Sequence, residues 1–123
     1  MLASKELELF EAFKERTITI VAAPSDLRKG YKSLERVCSG LAINLWKGND
    51  VVVFVSKSRR LAKIVWSDRF NEYCLSCYPT TGGYQRLLVL ASNRHGEVPV
   101  SVYELQCYLS GNKLQKECAP IEL

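Results

Sequence analysis

Apolar residues return along this chain with two different periods. In residues 3–15, Leu7, Phe10 and Phe13 are three apart with Leu9 beside them, while Glu6, Glu8, Glu11, Lys14 and Glu15 fill the polar positions. That spacing predicts an amphipathic helix. Residues 17–23, Thr-Ile-Thr-Ile-Val-Ala-Ala, are largely β-branched with partial alternation, and predict a strand that Pro24 ends. Ser25 suits an N-cap and Asp26 complements the positive end of a helix dipole. A second helix is therefore expected from Asp26 to Ser39, with Leu27, Tyr31, Leu34 and Cys38 as its apolar stripe and Gly40 as its stop. Gly30 inside that helix costs about 1 kcal/mol relative to Ala, which points to close packing there.

The period then shortens. Lys47-Gly48-Asn49-Asp50 is turn chemistry, and Val51–Ser56 reads as a strand. A basic connection, Lys57-Ser58-Arg59-Arg60, leads into a strand over Leu61–Ser67. A turn over Asp68–Asn71 leads into a strand over Glu72–Tyr78, and a loop, Pro79–Gly83, into a strand over Tyr84–Ala91. Connections this short make neighbours antiparallel, so the pattern predicts a meander. After a loop over Ser92–Glu97, Pro99 precedes a last helix in which Ser101 and Glu104 form a Ser-x-x-Glu capping box. Val102, Leu105 and Leu109 are its apolar face and Gly111-Asn112 its stop. The expected fold class is α+β: an antiparallel meander sheet of four to five strands, with about three helices packed on one face or end. The expected organisation is an N-terminal helical extension over 1–16, a single α+β domain over 17–112, and a frayed C-terminal tail over 113–123.

Composition narrows the class without naming a function. The 123 residues are 47% hydrophobic and 24% charged, which is globular composition and excludes disordered, collagen-like or mucin-like chains. A chain of this size buries roughly two-thirds of its unfolded surface and can carry its own core. The longest apolar runs, Val51–Val55 and Leu87–Ala91, fall far short of the roughly 20 residues of a membrane span. No basic segment followed by an apolar one opens the chain, so no signal peptide is expected. Five cysteines without a framework spacing are then read as reduced thiols in a cytoplasm.

The net charge of +4 conceals an uneven distribution. Between Arg28 and Arg94 there are twelve basic and four acidic side chains, a local +8, while both ends are acidic. Arg28, Lys32 and Arg36 are spaced i, i+4, i+8, so on a helix from Asp26 they share a face, with Lys29 close by. Lys57, Arg59, Arg60 and Lys63 occupy a hairpin connection and the strand after it, with Trp66 and Tyr73 nearby in sequence. Cations on a rigid face match the spacing of phosphates, and aromatics offer stacking surfaces. A merely solvated basic face stands equally open on these residues alone. No zinc finger, basic zipper or short-turn helix pair is visible.

Catalytic chemistry finds little support. His95 is the one histidine and sits in a loop beside Gly96. No Gly-rich phosphate loop is present. Asp26, Asp68 and Glu104 read better as a helix start, a turn and a capping box than as a converging carboxylate triad. Cys74-Leu75-Ser76-Cys77 has no second pair, and on a strand its two thiols would face opposite ways, so two small core thiols are expected rather than a metal or redox site. Trp46, Phe54, Trp66, Phe70, Tyr73 and Tyr78 fall in or beside strands and are expected in the core or in cross-strand pairs.

Three blocks resemble the TnpB-type accessory protein of the insertion-sequence sixty-six family of bacterial transposable elements, which is distinct from the RNA-guided nuclease sharing that name. The first is Ile20-Val21-Ala22-Ala23-Pro24-Ser25-Asp26-Leu27-Arg28-Lys29-Gly30-Tyr31. The second runs from Val53 through Ser56-Lys57-Ser58-Arg59-Arg60 to Trp66, and the third from Leu105 to Gly111. Together they span about residues 18–112. The Asp-x-Arg-Lys-Gly-aromatic block is the most specific. Where the family usually carries a basic Lys-Arg-Leu-Glu-like segment, this chain reads Cys77-Tyr78-Pro79-Thr80-Thr81-Gly82-Gly83.

The resemblance implies participation in DNA transposition beside a separate, larger transposase, without enzymatic activity or cofactor. Combined with the charge pattern, the expected function is contact with DNA backbone through Arg28, Lys29, Lys32 and Arg36 of the helix and Lys57, Arg59, Arg60 and Lys63 of the hairpin. The alternative is a protein–protein adaptor that assembles with the transposase or as a homodimer through the sheet edge or the Leu7/Phe10/Phe13 face, without DNA contact.

Overall fold

The computed structural model of the chain describes residues 4–28, 30–80, 82–86 and 97–114, with backbone alone at 4–8 and 22–25. Its elements are α1 (Ser4–Phe13), β1 (Thr17–Ser25), α2 (Tyr31–Gly40), a 3-10 turn (Leu45–Lys47), β2 (Asp50–Ser56), β3 (Ala62–Ser67), β4 (Glu72–Cys77), β5 (Glu97–Val100) and α3 (Val102–Leu109). The α+β class holds, with one five-stranded sheet in the order β4-β3-β2-β1-β5. The meander is real for β2, β3 and β4, which pair antiparallel through short turns. The sheet as a whole is mixed, because β1 lies parallel to β2. The intervening chain crosses one face through α2, as a parallel neighbour requires.

Strand alternation divides the interior in two. Ile18, Ile20, Val51, Val53, Ala62, Ile64, Trp66, Val98 and Val100 face one way and pack with Phe10 and Phe13 of α1 and Leu105 and Tyr108 of α3. Val21, Val52, Phe54 and Val65 face the other way and pack with Leu27, Leu34, Cys38 and Leu45. Helices therefore cover both faces, not one face or end. The central strand β2 is buried from Val51 to Val55, which is why its sequence is continuously apolar.

Several elements differ from expectation for identifiable reasons. β1 runs past Pro24 to Ser25, where it regains pairing with Ser56 after a register break that begins at Val21. An irregular stretch tolerates a residue that lacks an N–H. Ser25 is thus a strand residue, and α2 starts five residues later than predicted, at Tyr31, with Gly30 as its N-cap and no side-chain cap. The Asp26 carboxylate is taken up locally, accepting the Arg28 N–H at 3.1 Å. A Cβ on Gly30 would meet nothing within 4 Å, so no close packing accounts for that glycine.

β5 was not expected. Its four residues include Pro99, yet Val98 and Val100 alternate inward opposite Ile20 and Ile18. Proline is accommodated because β5 is an edge strand. Residues 84–86 are not strand, and the rest of the strand expected over Tyr84–Ala91 lies outside the described residues, as do Lys29, His95 and 115–123. The capping box forms as predicted: Glu104 N–H donates to Ser101 Oγ at 3.1 Å and Ser101 N–H to Glu104 Oε1 at 2.7 Å.

The helix expected as an extension is structurally tied to the sheet. Phe13 is 1% exposed and meets Trp66 edge-to-face at 5.0 Å. Trp66 in turn stacks on Tyr73 across the β3–β4 ladder at 4.9 Å. At the other end Leu114, inside the expected tail, is buried in the same core.

Candidate nucleic-acid interface

The structure does not keep the predicted basic helix face intact. Because α2 begins at Tyr31, Arg28 is not helical, and the expected i, i+4, i+8 face reduces to Lys32 and Arg36. Arg28 is turned onto its own neighbour, with Nε and Nη2 donating to the two Asp26 carboxylate oxygens at 3.0 and 2.9 Å. That hydrogen bond, and the carboxylate charge behind it, hold the guanidinium above its ordinary value. Lys32 reaches Glu72 of β4 at 2.8 Å and Glu35 at 3.7 Å, and is likewise held above its ordinary value, chiefly by the Glu72 hydrogen bond. Arg36 is exposed on the same helix.

Register places Lys32 and the 57–61 turn at opposite ends of β3, whereas the pairing of Ser25 with Ser56 brings the segment leading to Arg28 to the turn end. Glu72 lies opposite Ser67, and the 57–61 turn closes the other end of β3 at Ala62. Six residues of strand separate them by about 16 Å. Lys63 stands between, opposite Phe54 and Ser76 and half-buried on the α2 side of the sheet. The aromatics expected beside the hairpin cluster are not there. Trp66 is core, and Tyr73 covers it at the Glu72 end. Trp46, Phe70 and Tyr78 are exposed rather than buried or paired, while Phe54 is fully buried.

The 57–61 turn is a built feature. Ser56 N–H donates to the Leu61 carbonyl and Arg59 N–H to the Ser56 carbonyl, each at 2.9 Å. Arg59 takes φ +62°, a left-handed conformation uncommon outside glycine. It is held there by the 82–86 segment: Tyr84 N–H donates to the Arg59 carbonyl at 2.7 Å, and Arg59 Nε donates to the Tyr84 carbonyl at 3.1 Å. A Cβ on Gly83 would stand 2.9 Å from the Arg59 carbonyl oxygen, so only glycine permits this approach. Lys57 and Arg60 are exposed on the turn. Among the described residues no carboxylate pairs with Lys57, Arg59 or Arg60.

The segment opposite carries a residue that sequence reasoning did not select. Arg86 is exposed and, with Arg59 and Arg60, lines a polar cleft of about 390 Å³. The available signal was Gly82-Gly83 three residues before an arginine, which reads as a loop until the Arg59 contact is seen. A larger cleft of about 650 Å³ lies beside the edge strand β4, lined by Leu9, Phe10, Leu75, Tyr78 and Leu109 among others.

The remaining candidates are accounted for locally. Asp68 accepts the Asn71 and Phe70 N–H groups and the Tyr73 hydroxyl; the two backbone bonds chiefly hold it below the usual carboxylate range. Cys77 is half-buried opposite Ala62, and Cys74 is exposed opposite Val65, so the pair does split across the sheet but only one member touches the core. Among the described residues no three His, Cys, Asp or Glu side chains converge as a metal-binding group. No helix of the described residues is long and apolar enough to cross a membrane. Comparison with protein-family models, with curated proteins and with solved structures yields no match to this chain.

Proposed function

We propose that this protein is a non-catalytic accessory protein of DNA transposition, of the TnpB type its sequence blocks resemble, and that it contacts DNA backbone through the β2–β3 turn. One observation carries the DNA contact: Lys57, Arg59 and Arg60 stand on a rigid turn at one end of the sheet with no carboxylate partner among the described residues. Cations held in place and not neutralised are the ones able to displace counterions from a phosphate backbone. Arg28 and Lys32, already paired to carboxylates, are demoted from contact residues to structural ones.

Affinity for duplex DNA measured across a salt series tests this. Each phosphate contact contributes about 0.9 to the slope of log affinity against log salt, so the turn alone predicts a slope near two to three. Absence of binding at low salt, or binding indifferent to salt, defeats the reading. The genomic neighbourhood tests the process separately: an adjacent large transposase frame and flanking inverted repeats are expected.

The adaptor reading keeps one supporting observation. β4 is an edge strand with Leu75 and Tyr78 exposed beside the 650 Å³ cleft, a surface able to pair with the same strand of a second copy. The N-terminal helix loses its part in that reading, because Phe10 and Phe13 are buried in the chain's own core. Solution mass distinguishes the two: a dimer that a charged substitution at Leu75 dissociates, with no DNA affinity in either form, favours the adaptor.

A further inference from the structure

We infer that the cleft between the β2–β3 turn and the 82–86 segment is an oxyanion site that takes one phosphate of the DNA backbone, with Arg60 and Arg86 as the contacting residues and Arg59 as the positioning residue. The source of the phosphate rests on the function proposed above; the site itself rests on geometry. Ser58, Arg59 and Arg60 form one wall, and Gly82, Gly83 and Arg86 the other. Three arginines line one polar cleft, and no carboxylate among the described residues forms an ion pair with them. Arginine's planar fork of donors matches the oxygens of a phosphate.

The walls are pre-organised. The two backbone segments are joined by the reciprocal Arg59–Tyr84 bonds. Tyr84 is 2% exposed and its ring stacks on Tyr108 at 5.6 Å. The Tyr108 hydroxyl donates to the Gln85 carbonyl at 2.9 Å, and Gln85 Nε2 donates to the Gly111 carbonyl at 3.2 Å, tying the cleft to α3. Arg60 and Arg86 stay exposed on this frame, so the backbone is already set and an entering anion has to order only those two side chains. The Tyr84 ring is turned into the core and cannot stack on a base, so the cleft reads charge and shape and is indifferent to sequence.

Titration of the isotope-labelled intact protein with inorganic phosphate, against a chloride series of equal ionic strength, tests the site. Saturable amide shifts confined to Ser58–Arg60 and Gly82–Arg86 are expected, and their loss in an Arg60→Gln/Arg86→Gln variant whose spectrum is otherwise native. Shifts that are absent, unsaturable, spread over all basic residues or retained in the double variant overturn it. Duplex DNA affinity across a salt series tests the source: Arg86→Gln alone should lower the salt slope by about one. An unchanged slope with DNA binding intact overturns the cleft as a backbone contact and leaves the proposed function standing. Saturable phosphate shifts without DNA binding overturn the DNA source together with that function, and uphold the oxyanion site.

Discussion

Lys32 Nζ lies 2.8 Å from Glu72 Oε2, a bond that fastens α2 to the edge strand β4 across 40 residues of chain. With Glu35 also at 3.7 Å, this surface lysine faces two carboxylates of its own chain. Lys32→Gln should therefore leave duplex DNA affinity within about twofold, because a cation already facing carboxylates displaces fewer counterions than an unpaired one. Arg60→Gln should weaken it several-fold under the same conditions. Glu72→Gln, which releases Lys32, should strengthen binding. Equal losses from Lys32→Gln and Arg60→Gln would refute the division of roles.

Gly83 and Gly30 should respond differently to alanine. At Gly83 the new Cβ would meet backbone, the Arg59 carbonyl oxygen at 2.9 Å, and neither segment can yield without opening the cleft. A loss of about 1–3 kcal/mol is expected for Gly83→Ala. Gly30→Ala meets nothing within 4 Å and changes only an uncapped helix start, so less than about 1 kcal/mol is expected. Urea unfolding of both variants reads the contrast, and equal effects contradict it.

Phe13→Ala should cost about 3–5 kcal/mol, the range for deleting a buried aromatic. Its side chain is 1% exposed and packs between Phe10 at 6.1 Å and Trp66 at 5.0 Å. A single domain of this kind has about 5–15 kcal/mol in total, so removal of residues 1–15 should leave a chain without cooperative unfolding. A truncated chain that unfolds at the wild-type midpoint would show that α1 is dispensable.

Stability should decline in alkali. Burial, with lesser help from the Asp50 and Glu35 charges, pushes the Cys38 thiol from 9.0 up to about 12. Burial likewise pushes the Tyr31 and Tyr108 hydroxyls from 10.0 up to about 12. A raised folded value means that the unfolded chain releases its proton first. The stabilisation is complete below the unfolded values and is lost as pH rises from about 9 through 12. Denaturant midpoints measured from pH 8 to 11 should fall from about pH 9 and more steeply above 10. Cys38→Ala should remove the earlier part of the decline. Midpoints flat to pH 11 would contradict the burial of these groups.

The chain's periodicities determined a good deal without help from the fold. The first helix, the turns at Gly48 and Asp68, the three-strand meander and the Ser101–Glu104 capping box were legible because each is a local matter of alternation, turn chemistry or a cap that closes within four residues. The buried stripe Leu27, Leu34 and Cys38 was legible for the same reason, even though Leu27 reaches that core from outside the helix. Tertiary structure decided what depends on distant partners. β5 exists because Ile18 and Ile20 need neighbours beyond β1, which no window over Glu97–Val100 contains. α2 starts late because Ser25 pairs with Ser56, thirty-one residues on. Charge density located the basic centre, but only the tertiary structure decided which cations are ion-paired, as Lys32 is with Glu72, and which have no carboxylate partner among the described residues, like Arg60 and Arg86. Ion pairing is a distance between side chains, and the chain order of charges does not contain it.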